Sequence, residues 1–131
     1  DISLDCMYET YSTSRSQYWV VKDGTRVLGG AGIAPLENGP EAVCELQKMY
    51  FLEEIRGTGM GSAMMAVCLD FARKQGFRQC YLETMPYMND AQKLYQKFGF
   101  RYLDTPMGCT GHTSCPVWML LDLFPGKNEQ L

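Results

Sequence analysis

Apolar positions along the chain change period several times, and each change marks an element. In "LDCMYETY", residues 4–11, Leu4, Met7, Tyr8 and Tyr11 recur at helical spacing and predict a helix. "QYWVVKDGTRVLGGAGIAP" holds two apolar runs separated by Asp23-Gly24, the pattern of a hairpin. "AVCELQKMYFL" alternates as a half-buried strand over residues 42–52 and leads into Gly57, Gly59 and Gly61. Beyond the glycines, Met60, Ala63, Met64, Val67, Cys68 and Phe71 follow one helical face, with Gly76 as the stop. "RQCYLET" reads as a strand, and "NDAQKLYQKF" as a helix capped by Asn89 and closed by Gly99. "FRYLDT" and "PVWMLLDL" read as two last strands. The order predicts one mixed sheet with helices packed on it, an α/β or α+β fold.

The length of 131 residues fits one domain, expected over 1–124 with 125–131 as a frayed tail. Such a chain buries roughly two thirds of its unfolded surface without needing disulfides or metals. With 46% hydrophobic and 21% charged residues the composition is that of a soluble globular protein, and no apolar run reaches the roughly 18 residues of a membrane span. A net charge of −3 and the lack of a Lys/Arg cluster argue against a nucleic-acid surface and favour a cationic partner. Of six cysteines, Cys44, Cys68 and Cys80 lie in apolar segments, where free cysteine acts as a small hydrophobe, so a reduced, cytoplasmic protein is expected. The start at Asp1 rather than methionine hints at processing, trimming or a missing part.

Three alternating glycines need a reason, because glycine costs about 0.5–1 kcal/mol relative to alanine inside regular structure. A strand, a glycine turn and a helix N-terminus make an anion site, since amide N–H groups and the positive helix end converge there. A P-loop fails, because no lysine and Ser/Thr pair stands in the required places. A dinucleotide fingerprint also fails: counted from Gly59 it puts Met64, and from Gly57 Ser62, where Gly or Ala must let the helix pack closely.

What fits is R-x-x-G-x-G, met by Arg56, Gly59 and Gly61 at a strand end, followed about thirty residues later by "AQKLYQKFGF". The two motifs, in this order over roughly Glu45 to Phe100, resemble the Gcn5-related N-acetyltransferase (GNAT) superfamily. The resemblance implies acetyl-CoA as co-substrate. Its pyrophosphate would be held by main-chain amides of Arg56, Gly57, Thr58, Gly59, Met60, Gly61 and Ser62, where side chains would block the approach. Its pantetheine arm would pair with an exposed strand edge at Met49, Tyr50 and Phe51. The implied fold is a single mixed, mostly antiparallel sheet with helices on both faces, lacking the superfamily's first strand, since the chain begins near the usual second helix. The resemblance leaves room for a homodimer.

Acetyl transfer to an amine needs a neutral amine, oxyanion stabilisation and a proton for the departing thiolate. Tyr95, in "LYQKFGF", matches the superfamily's proton donor; its plain alternative is core packing beside Leu94 and Phe98. Glu45 matches an acidic position that acts through water as the base, Glu83 is its rival, and Glu53 and Glu54 read as surface charges. Many relatives carry asparagine where this chain has Met88, with Asn89 one place later, so Asn89 either touches the cofactor or caps the helix. Cys109, His112 and Cys115 lack the second pair of a structural zinc site, so no metal is expected, and His112 reads as an acceptor-side or surface residue. Tyr8, Tyr11 and Trp19 either line the acceptor site or pack in the core. The expected activity is direct transfer from acetyl-CoA to a primary amine of a small molecule or peptide. The alternatives are a non-catalytic acyl-CoA-binding or regulatory module and a nucleotide-binding domain.

Overall fold

The computed structural model describes residues 2–7, 15–108 and 117–128. Among these residues seven strands and two longer helices follow one another: β1 (Ile2–Met7), β2 (Gln17–Asp23), β3 (Arg26–Pro35), β4 (Val43–Phe51), α1 (Met60–Lys74), β5 (Gln79–Thr84), α2 (Asn89–Lys97), β6 (Arg101–Leu103) and β7 (Val117–Asp122). A single helical turn, Pro125–Asn128, follows β7. The chain divides into two compact units, Asp1–Ala34 with Leu46–Gln75 and Pro35–Glu45 with Gly76–Leu131. In the first, β1, β2, β3 and most of β4 are neighbours in that order; in the second, the start of β4 is followed by β5, β7 and β6. The sheet is mixed: β1–β2, β2–β3, β5–β7 and β6–β7 are antiparallel, and β4–β5 is parallel. The fold is therefore of the α/β class, as the element order implies.

One expectation is overturned in the first unit. Residues 2–7 form a strand paired with β2, from Ile2↔Asp23 to Met7↔Tyr18, where a helix over 4–11 and no strand before the hairpin were expected. "ISLDCM" also alternates with period two, and the open ladder of β2 supplies the hydrogen bonds that select this period. Tyr8 and Tyr11 lie outside the described residues. The hairpin forms as expected, but its loop is Gly24-Thr25, one residue on; Gly24 takes φ 63, which glycine adopts at no steric cost.

Helix α1 buries Met64, Met65, Cys68, Leu69 and Ala72, a stripe rotated by about one position from the predicted face, and Ala63 is exposed. Its sequence is apolar over so wide an arc that periodicity alone admits either face. Trp19 is 7% exposed and meets Phe71 edge-on at 5.2 Å, so it belongs to the core of this unit. In the second unit Leu36, Val43, Tyr81 and Leu120 pack together, and Leu103, Met107 and Trp118 lie against them. Each such side chain, fully buried, stabilises by about 1.5–3 kcal/mol. Helix α2 begins at Asn89, but the residue before it, Met88, occupies the capping place, so the expected Asn89 cap is not made. A side-chain cap is absent because methionine has no acceptor suited to the task; Gly99 at φ 102 ends the helix as anticipated.

Candidate functional site

In the first unit, β4 ends at Phe51 and a short 3₁₀ turn, Glu53–Ile55, carries the chain to Arg56. Arg56 Nε donates to the Phe51 carbonyl at 3.0 Å, tying the loop to the strand end, and the Thr58 hydroxyl donates to the Ile55 carbonyl. Gly57 and Gly59 take φ 78 and φ 90, and a Cβ on either would meet no protein atom within 4 Å. Conformation, not crowding by the protein, requires glycine here. Gly61 is the second residue of α1. The helix opens with Gly59 at the capping place, no side-chain cap and no acidic residue in its first turn. That end presents amide donors and a positive dipole end with no acid in its first turn, a setting suited to an anion. Glu54 is engaged by Arg26 in an exposed pair, and such pairs contribute about 0–1 kcal/mol, so it is a surface charge as read.

Strand β4 is distorted upstream of this loop. Lys48 takes φ 53 in mid-strand, a left-handed conformation that costs a non-glycine residue about 1–3 kcal/mol. Met49, Tyr50 and Phe51 follow it; Tyr50 is 45% exposed. The register of β4 with β5 covers three residues, Val43↔Gln79, Cys44↔Cys80 and Glu45↔Tyr81.

In the second unit the two candidate bases come together on one face. Glu45 is 6% exposed and stands opposite Tyr81 in the register, and Glu83 lies two residues on along β5. The Tyr81 hydroxyl donates to Glu83 Oε2 at 2.7 Å and accepts the Met107 N–H at 3.2 Å. Burial, reinforced by the Glu83 carboxylate, holds the Tyr81 phenol well above its ordinary value. Tyr81 is the member of this hydrogen-bonded group that sequence reasoning missed. An aromatic in the apolar run "CYLET" looks like core, and only its spacing of two from Glu83 hinted at more.

Tyr95 is 6% exposed in α2, with its ring 5.8 Å from that of Phe100. Burial pushes its phenol up to about 12, and the Cys80 thiol adds to the shift. Cys80 alternates with Tyr81 along β5 and therefore projects from the face opposite the Glu45–Tyr81–Glu83 group. Asn89 is exposed at the start of α2. Cys109, His112 and Cys115 lie outside the described residues.

The family model described as "Acetyltransferase (GNAT) family" matches residues 2–100. "Uncharacterized N-acetyltransferase YjgM" of Escherichia coli (strain K12) is 46% identical over 123 residues, covering 94% of this chain and 74% of that protein. The chain spans less than half the length of the mammalian N-acetyltransferases that it also matches. Among solved structures, a GNAT-family acetyltransferase of Staphylococcus aureus Mu50 superposes with a TM-score of 0.77 at 22% identity, covering 88% of this chain and 73% of that one. The structure of yncA from Salmonella typhimurium with its cofactor acetyl-CoA gives a TM-score of 0.70 at 19% identity, covering 88% and 69%.

Proposed function

The chain belongs to the acetyltransferase (GNAT) family, and on that premise we propose that it is an acetyl-CoA-dependent N-acetyltransferase acting on a primary amine. The observation that carries this reading is the Arg56–Ser62 segment: two glycines in the left-handed region lead into a helix start that has neither a side-chain cap nor an acid. Residues of this kind suit a pyrophosphate, which the amides of residues 57–62 would hold; the Arg56 N–H, expected to join them, donates instead to the Glu53 carbonyl at 3.1 Å. The backbone edge at Met49, Tyr50 and Phe51 would take the amide-rich pantetheine arm, which is supported by the short β4–β5 register. Asn89, exposed and not serving as a cap, is left as a residue that would touch the cofactor.

Bound acetyl-CoA supplies an activated acetyl thioester. Glu45, alone or with Glu83, takes the proton from the acceptor's ammonium through water, so that the amine nitrogen can form its bond to the acetyl carbon as the carbon–sulfur bond breaks. Tyr95 gives its phenolic proton to the departing sulfur, and the second proton shed by the acetylated nitrogen returns through water to restore the phenol; with its pKa near 12 it is in the donor form throughout the neutral range. An acidic face also attracts a cationic acceptor, which favours a small-molecule or peptide amine. No helix among the described residues is long and apolar enough to cross a membrane. Cys44, Cys68 and Cys80 are buried thiols, which suits a reducing compartment, so the proposed location is the cytoplasm.

The test is thiol release and product mass with acetyl-CoA and a broad panel of amines. Acetylated product from any primary amine supports the reading. Tight acetyl-CoA binding without product from the whole panel would replace it with a non-catalytic acyl-CoA-binding module.

A further inference from the structure

Tyr18, on β2, sends its hydroxyl across β3 to donate to the Lys48 carbonyl of β4 at 3.1 Å. The side chain is 8% exposed and packs with Val20, against which Ala34 lies. Its path crosses Gly30: a Cβ there would stand 2.6 Å from the Tyr18 hydroxyl oxygen, 2.9 Å from its Cε2 and 3.0 Å from the Trp19 carbonyl. The neighbouring Gly29 makes the same allowance for β4, since its Cβ would lie 2.7 Å from both the Tyr50 carbonyl and Phe51 Cδ1. Two consecutive glycines in β3 thus give room to a tyrosine and to the distorted end of β4. The carbonyl that Tyr18 grips belongs to Lys48, whose φ of 53 marks the distortion.

A peptide group is a rigid plane, with its carbonyl and the next N–H on opposite sides. Fixing the Lys48 carbonyl toward Tyr18 therefore aims the Met49 N–H away from it. We infer that Tyr18 is a positioning residue: by holding the Lys48–Met49 peptide in its left-handed setting over Gly30, it presents the Met49 N–H as a hydrogen-bond donor to a carbonyl of the bound acyl-pantetheine arm. This rests on the coenzyme reading above and adds to it the part of the chain that sets the strand edge.

The experiment is calorimetric titration of wild type, Tyr18→Phe and Gly30→Ala with two probes: acetyl-CoA, and 3′-phospho-ADP, which has the phosphates but no arm. Tyr18→Phe keeps the ring and removes only the hydroxyl; Gly30→Ala pushes the hydroxyl off its path. Both variants should bind 3′-phospho-ADP as wild type does, while acetyl-CoA affinity falls about 3- to 10-fold, the loss expected for one hydrogen bond. A structural defect would weaken both probes together, and that result would overturn the inference. Unchanged acetyl-CoA affinity in Tyr18→Phe would overturn it as well. If wild type itself binds neither probe, the coenzyme reading fails first and this inference with it, so the two failures are read in different samples.

Discussion

Replacing Gly59 with alanine separates what the loop does for the fold from what it does for a ligand. At φ 90 an alanine pays for a left-handed backbone, about 1–2 kcal/mol, and no clash adds to this because the new Cβ meets nothing within 4 Å. For a chain of this size that lowers Tm by a few degrees to about 10 °C. Gly76, past the end of α1, has nearly the same φ, 87, and equally open surroundings, so Gly76→Ala should cost the same. The two variants part when acetyl-CoA is added. At a concentration 100 times the wild-type Kd the ligand stabilises wild type by about 2.7 kcal/mol. A methyl group among the amides proposed to hold the phosphates should weaken binding on the order of 100-fold, leaving about 0.4 kcal/mol at the same concentration. Thermal melts with and without acetyl-CoA should therefore show a full ligand shift in Gly76→Ala and little in Gly59→Ala. A full shift in Gly59→Ala would remove the loop from the binding site.

Tyr95→Phe keeps the contact with Phe100 and removes the proton, so turnover should fall roughly 10²- to 10⁴-fold with acetyl-CoA affinity unchanged; wild-type turnover would return Tyr95 to a packing role. Because the folded pKa of Tyr95 lies near 12 and the unfolded one near 10, the folded state holds the proton longer, and its contribution is complete below pH 10 and lost as pH rises to 12. Alkaline denaturation over that window should take about 3 kcal/mol less from Tyr95→Phe than from wild type, the raised Tyr81 phenol contributing equally to both; equal losses would contradict the assigned burial of the Tyr95 phenol. Glu45→Gln and Glu83→Gln, assayed for kcat across pH, should show which carboxylate carries the base: the plateau falls in that variant, and no fall in either would place the base elsewhere. Tyr81→Phe leaves Glu83 and the Met107 amide without their shared partner, for a stability loss of about 1–3 kcal/mol by urea denaturation, and an unchanged midpoint would make both bonds inconsequential.

Local pattern made most of the fold legible. The hairpin, β4, α1, β5 and α2 each announce themselves within about fifteen residues, through a period and a stop such as Gly76 or Gly99. Where reading failed, two periods overlapped. "ISLDCM" serves a strand while Leu4, Met7, Tyr8 and Tyr11 serve a helix, and the choice fell to β2, whose ladder no local rule contains. The face of α1 was misjudged by one position for a similar reason: its apolar arc is wider than the core needs, and the strands behind it decide which part is covered.

The candidate site divides along the same line. The Arg56–Ser62 loop could be read because strand, glycines and helix are contiguous, so the chemistry of the site is written in one stretch. The Tyr81–Met107 and Tyr18–Lys48 bonds could not, since they join residues 26 and 30 apart in sequence. They exist only in one register. The β2–β3 loop is Gly24-Thr25, one residue beyond the Asp23-Gly24 expected from pattern, and β2 already shifts register between Val21 and Lys22. Since a one-residue slip turns every side chain to the opposite face, the turn and this bulge together decide that Tyr18 crosses Gly30 rather than pointing away from it. The two glycines of β3 then have a specific meaning. Read locally they weaken a strand, whereas in this register they are the room that lets a hydroxyl on β2 reach the backbone of β4.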